Sequence, residues 1–293
     1  TRRGCVTMSN PVYRYVTERI LSELSKGFVP WKRSWGDVGF PMNRTSGKPY
    51  RGVNSLLLPP GEYLTSKQAR GLGGSVKNGE TPFMVVFYRM IDLPQEASEK
   101  RTGHSEDAIK RIPLLRYYRV YEIGQCDGID RRFSVVRRTD AERIEAAETI
   151  RRHYPDPPAV VEKGMNACYS PFLDLVSVPS IMNFNSDEEY YSTLFHELVH
   201  STGHPKRLNR KFGAFCNDAY SFEELVAEIG GAMLCEMSGI VESTIQNSAA
   251  YIRCWSERLR QDDTLIVRAA SAAQKAADLV SGNTHEGKEE FAA

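Results

Sequence analysis

Long hydrophobic runs are missing from the 293 residues. The apolar stretches are short, such as Phe83–Phe87 and Leu56–Leu58, and fall far below the roughly 18 residues that span a bilayer. That excludes a membrane-spanning helix and predicts no membrane partner. The first ten residues carry two arginines with no apolar stretch behind them, so no secretory leader is expected. Cysteine is sparse. Cys5, Cys126, Cys168, Cys216, Cys235 and Cys254 form no CxxC pair and no zinc-ribbon spacing, which predicts free thiols in a reducing cytoplasm. A phosphate loop is absent too, because Gly71-Leu72-Gly73-Gly74 lacks the GxxxxGK[ST] spacing and reads as turns. Disorder is excluded by an apolar fraction of 41%, enough for real cores.

The net charge of +1 hides an asymmetry. Residues 1–140 hold 24 Lys and Arg against 14 Asp and Glu, and residues 141–293 hold 14 against 23. Two modules with different partners follow, at 1–138 and 139–293. A basic first module suits a polyanion such as nucleic acid.

In the first module, Ser9 or Asn10 can cap a helix with Pro11 in its first turn. Tyr13, Val16, Ile20 and Leu24 then give one apolar stripe and Gly27 a stop. Pro- and Gly-rich loops follow, with a short helix at 65–70 and a hairpin turn at Asn78-Gly79. Strands are expected at Phe83–Tyr88, Leu114–Ile123 and Arg132–Val136, and an exposed polar loop at 94–111. Cations interleave with aromatics at Trp31-Lys32-Arg33-Ser34-Trp35, at Arg44, Lys48, Tyr50 and Arg51, and at Arg116-Tyr117-Tyr118-Arg119. Cations neutralise phosphate, and aromatic faces stack unpaired bases at about 1–3 kcal/mol each. Trp31, Lys32, Arg33, Trp35, Arg44, Lys48, Tyr50, Arg51, Arg116, Tyr118 and Arg119 are therefore the candidate contacts to single-stranded DNA.

The second module opens with a helix at Asp140–His153 and a hairpin of two short strands over 168–178. The sharpest motif is His196-Glu197-Leu198-Val199-His200, inside the helical pattern of Ser186–His200. Residues four apart share a helix face, so His196 and His200 can grip one zinc ion, with Glu197 beside it as general base. Zinc is the expected metal, although such a site also accepts another divalent ion such as manganese. A third ligand is needed. The HExxHxxGxxH pattern fails at Lys206, so the next helix, Ser221–Met237, is the source, with Glu223, Glu224 and Glu228 on offer. Glu224-Leu225-Val226-Ala227-Glu228 resembles the ExxA-like arrangement of glutamate-ligand zincins, which favours Glu224. Glu228 would then brace a ligand histidine. Ser221 and Glu224 also fit a capping box, and in that case Glu228 is the ligand. Two more helices are expected at 245–260 and 264–280, with a frayed polar tail.

Taken together, PWKRSW, PMNRTSGKPYRGVNSLLL, SKQARGLGGSVKNGE and VVFY resemble the N-terminal domain of ArdC-type antirestriction proteins, which is related to the DNA-binding part of TraC primases. FNSDEEYYSTLFHELVHSTGHPKRLNR, FEELVAEIGGAML and AAQKAADLV resemble their zincin-like metallopeptidase domain. The resemblance implies an α+β chain: a small basic α+β DNA-binding domain, then a mostly helical zincin-like domain with a short hairpin. It also implies a conjugative-plasmid protein that binds single-stranded DNA and shields incoming DNA from restriction, with a protein substrate or a host restriction enzyme as a further partner. The alternatives are a DNA-binding shield whose metal site is structural and a plain cytoplasmic metallopeptidase.

Overall fold

The computed structural model describes residues 10–32, 39–93, 110–133, 138–212, 218–240 and 249–283. Asn10 starts the first helix, its side chain accepting from the Val12 amide at 3.0 Å. This helix, α1 (Pro11–Ser25), buries Val12, Val16, Ile20 and Leu24 on one stripe. Gly27 ends it at φ +86°, a left-handed conformation that costs glycine nothing. A 3₁₀ turn at Pro30–Lys32 follows. Then come β1 (Pro41–Asn43), α2 (Val53–Leu57), β2 (Gly61–Leu64), α3 (Ser66–Gly71), β3 (Ser75–Val76), β4 (Phe83–Leu93), β5 (Lys110–Glu122) and β6 (Cys126–Asp127). One sheet has the order β1-β2-β5-β4, and β3 pairs separately with β6.

Three sequence expectations change here. The strands around Phe83–Tyr88 and Leu114–Ile123 are longer, pairing from Phe83↔Val120 to Leu93↔Lys110. Residues 110 and 111 of the expected polar loop therefore belong to β5, and 94–109 lie outside the described residues. Asn78-Gly79 turns the chain, with Gly79 at φ +84°, but closes no hairpin. The two-residue β3 pairs with β6 instead, a pairing extended by the Lys77 amide to the Gln125 carbonyl at 2.9 Å. Arg132 and Phe133 do not start a strand, because their amides donate to the Glu62 carboxylate, each at 2.8 Å. A buried side chain takes the place of a ladder there, and 134–137 lie outside the described residues.

The second half is α4 (Asp140–His153), β7 (Ala159–Glu162), β8 (Cys168–Ser170), β9 (Leu175–Val178), α5 (Asp187–Ser201), α6 (Asp218–Ser238), α7 (Ala249–Gln261) and α8 (Leu265–Val280). Thr139 and Glu142 form a reciprocal capping box on α4, and Ser186 caps α5 by accepting from the Glu189 amide at 3.2 Å. The expected 168–178 hairpin is β8–β9, and β7 joins β9 in parallel, so β8 is an edge strand.

The fold is α+β, but its main core is not split at residue 138. One buried cluster joins Val16, Ile20, Trp31 and Leu56 to Phe195, Leu198, Leu225 and Ala273. A smaller cluster of Tyr50, Leu58, Tyr63, Val85 and Val120 lies against the sheet. Helix α6 lies between α5 and α8, and glycines set the distance. A Cβ on Gly230 would stand 2.9 Å from Val199 Cγ1 and 3.4 Å from the Ala273 carbonyl oxygen. A Cβ on Gly231 would stand 3.4 Å from the His196 amide nitrogen. The Gly230-Gly231 pair thus lets α6 close directly onto the turn of α5 that carries the histidines.

Candidate metal centre

Helix α5 stacks His196 and His200 one turn apart, their Nε2 atoms separated by 3.1 Å. From α6, Glu224 brings Oε2 to 3.8 Å from His196 Nε2 and Oε1 to 3.5 Å from His200 Nε2. All three ligand atoms lie within 4.8 Å of one another. Two imidazole nitrogens and a carboxylate suit a divalent first-row metal, zinc and manganese included. Helix α6 begins at Asp218, so Ser221 stands three residues inside the helix and not at its N-cap.

Glu228 lies one turn further along α6 and faces different groups. The Tyr251 hydroxyl donates to its Oε2 at 2.6 Å, and Lys32 Nζ sits 3.3 Å from the same oxygen. The group that braces a histidine is instead Glu223, whose Oε1 is 3.3 Å from His200 Nδ1. Arg210 in turn donates to both Glu223 oxygens, at 2.9 and 2.7 Å. Such an outer contact fixes the ring and its tautomer. Arg210 was invisible to sequence reasoning, since it lies in an irregular segment with no periodicity to flag it.

Glu197 is buried beside the histidines. Burial pushes its carboxyl pKa up, and the Glu224 charge adds to this, against the opposing pull of His200 and a hydrogen bond from the Tyr169 amide. Burial also pushes His196 down to about 3, with His200 and Lys32 adding to the effect, so the ring is held in the neutral form that ligates metal. Burial would raise Glu223, but the Arg210 and His200 hydrogen bonds outweigh it and hold the carboxyl low. The hairpin above the site is tied down by Arg207, which donates to the Ser201 and Asp156 carbonyls at 2.8 Å each and pairs with Asp174.

The residues expected to touch DNA are scattered. Trp31 is 1% exposed, its Nε1 donating to the Tyr251 hydroxyl at 3.2 Å and its ring edge-on to Trp255. Tyr50 is buried in the smaller core. Neither ring offers a face to a base. Lys32, 7% exposed, lies 4.2 Å from the Tyr251 ring centroid and pairs with Glu228. Arg44 is spent on Glu62 and the Asp130 carbonyl, and Arg51 on Asp278. Lys48, Arg116, Tyr118 and Arg119 are exposed, as is Tyr117, which belonged to the same motif. Arg33 and Trp35 lie outside the described residues.

An HExxH helix closed by a glutamate from the next helix defines a zincin-like metal centre, here in a chain that also carries an N-terminal sheet. Comparison with known proteins agrees for each half. Residues 152–272 match the zincin-like metallopeptidase family. Residues 10–121 match the N-terminal domain of anti-restriction factor ArdC. The chain is similar to the protein y4eC of Sinorhizobium fredii (strain NBRC 101917 / NGR234), 32% identical over 91% of this chain and 90% of that protein. It is 31% identical to a DNA primase TraC of Escherichia coli over 93% of its own length but only 27% of the primase. Two crystal structures of the antirestriction ArdC protein from plasmid R388, one metal-free and one Mn(II)-bound, match with a TM-score of 0.71 each. They are 33% and 32% identical and cover 94% and 93% of this chain and 98% and 97% of theirs. The chain belongs to the ArdC-type antirestriction family. No described helix is long and apolar enough to cross a membrane.

Proposed function

We propose that this protein protects transferred plasmid DNA from host restriction in the recipient cytoplasm. Its basic module at 1–138 binds single-stranded DNA, and its module at 139–293 is a zinc-dependent peptidase acting on a protein met at that DNA, such as a host restriction enzyme. Zinc is held by His196, His200 and Glu224, and manganese is the alternative that the same donors accept. One observation carries the catalytic part. Glu197 stands as a buried carboxyl beside a preformed three-ligand cluster, and a metal site serving only as a strut has no use for it.

When bound, the metal supplies Lewis acidity toward a peptide carbonyl and acidity toward a water. The chain's own groups do the remaining work. Glu197, its pKa raised by burial, takes a proton from water and passes it to the leaving amine. Glu223 and Arg210 hold the His200 ring in register. Tyr169 of the edge strand β8 donates its amide to Glu197, and an extended peptide segment binds beside it by strand addition.

The test is plasmid transfer into a restricting host with wild type and Glu197→Ala, alongside metal uptake and oligonucleotide binding by both proteins. The expected result is unchanged folding, metal uptake and DNA binding with protection lost. Full protection by Glu197→Ala would remove the catalytic part and leave a DNA-binding shield.

A further inference from the structure

The strand β5 lies between β2 and β4, but the two neighbours cover it very unequally. β4 pairs with it over eleven residues, from Val120 back to Lys110. β2 meets it only at Glu122 and Tyr121. From Val120 backward, one edge of β5 therefore has no strand beside it among the described residues.

Four consecutive side chains on this stretch, Arg116, Tyr117, Tyr118 and Arg119, are all exposed. Side chains alternate along a strand. Arg116 and Tyr118 are thus on one face and Tyr117 and Arg119 on the other, so each face shows one cation and one phenol ring. Tyr117 is 52% exposed and Tyr118 37%. Their cross-strand neighbours Val86 and Val85 are buried, which roots the ribbon while leaving the β5 side open. Among the described residues, none of the four side chains has a hydrogen bond, an ion pair or a ring contact. Four other cations of this module are occupied: Arg44 by Glu62, Arg51 by Asp278, Arg131 by Glu122 and Lys32 by Glu228. This open edge joins two guanidiniums and two aromatic rings, none of them paired among the described residues, in a half with an excess of ten positive charges.

We propose that this open edge of β5 is the single-stranded DNA site, with bases stacked on Tyr117 and Tyr118 and phosphates against Arg116 and Arg119. The proposal rests on the reading above that the basic module binds single-stranded DNA, and it says where. Charge selects a polyanion as occupant. The exposed rings select unpaired bases over a duplex, whose base faces are already stacked on one another. A protein strand added to the same edge would need neither the rings nor the guanidiniums.

The experiment is fluorescence anisotropy of a labelled oligothymidylate, and of a hairpin duplex, across a salt series on the full-length metal-loaded protein. Tyr117→Ala and Tyr118→Ala should each weaken single-strand binding by about 5- to 150-fold while leaving the salt slope unchanged. The Phe variants at both positions should restore it. Arg116→Gln with Arg119→Gln should lower the slope by about 1.4, near 0.7 per lost phosphate contact. Lys67→Gln, an exposed cation elsewhere in the module, should change the affinity far less. Unchanged melting and metal uptake establish that each variant is folded. Wild-type binding that survives the double Tyr→Ala variant overturns the placement and leaves DNA binding by the protein intact. Absence of wild-type binding overturns the parent reading and the placement with it. Duplex binding equal to single-strand binding also overturns the site, since stacked bases cannot use the rings.

Discussion

The α5–α6 crossing and the β4–β5 ribbon show two ways in which this chain places chemistry. At the crossing, the metal-binding helix is held from behind: Glu223 on His200, Arg210 on Glu223, glycines at the contact, apolar residues packed around. On the ribbon, among the described residues, Arg116, Tyr117, Tyr118 and Arg119 are held only by the backbone that carries them. A metal centre needs angstrom-level convergence and gets it from packing. A strand-shaped polymer needs reach and exposed faces, so its contacts remain on an open edge. The two regions should therefore respond very differently to substitution.

The largest expected effect is at the contact itself. Gly230→Val drives a branched side chain into Val199 and the Ala273 carbonyl and should destabilise the fold by about 3 kcal/mol. Thermal unfolding measures this, and a loss under about 1 kcal/mol would show that the helices can separate cheaply. Next comes Glu236, on the same helix but away from the metal cluster. Its Oε1 has no hydrogen-bond partner among the described residues, and burial raises its pKa to about 9. The folded-state pKa lies above the unfolded one, so this group costs nothing below about pH 4.5. Stability should then fall as pH rises toward 9. Glu236→Leu should accordingly stabilise by about 2 kcal/mol at pH 8 and by much less near pH 5. An equal gain at both pH values would assign the effect to packing alone.

Glu223→Gln removes the charge behind His200 and should weaken metal binding about 10- to 100-fold while the protein stays folded. Competition with a chelator reads that out, and unchanged affinity would make Arg210 and Glu223 a purely structural pair. At the small end, Tyr117→Ala and Tyr118→Ala should shift folding stability by less than about 0.5 kcal/mol. A larger loss would mean the ribbon is held by its side chains after all, and the contrast between the two regions would weaken.

The same contrast explains what could be read from the sequence. His196, Glu197 and His200 announce themselves because a helix converts i and i+4 into one face, a conversion that needs no tertiary information. Glu224 was one of two open choices, and the early start of α6 at Asp218 bears on it. Trp31 and Arg116-Tyr117-Tyr118-Arg119 look alike in one dimension, as cations beside aromatics. Burial tells them apart, and burial depends on which elements the chain later folds against them. Trp31 is enclosed by Tyr251 and Trp255, more than two hundred residues away. Short elements such as β1, β7 and α2 were missed because three to five residues hold too little periodicity to register.

The seat of Trp31 and Lys32 against α6 and α7 also bears on where the chain can be divided. A core shared across residue 138 means that a cut there would bare apolar residues on both sides of it. In the TraC relatives the matching segment spans 93% and 92% of this chain while occupying only 27% and 20% of the longer proteins. Both halves are thus present together in those relatives, side by side as they are here.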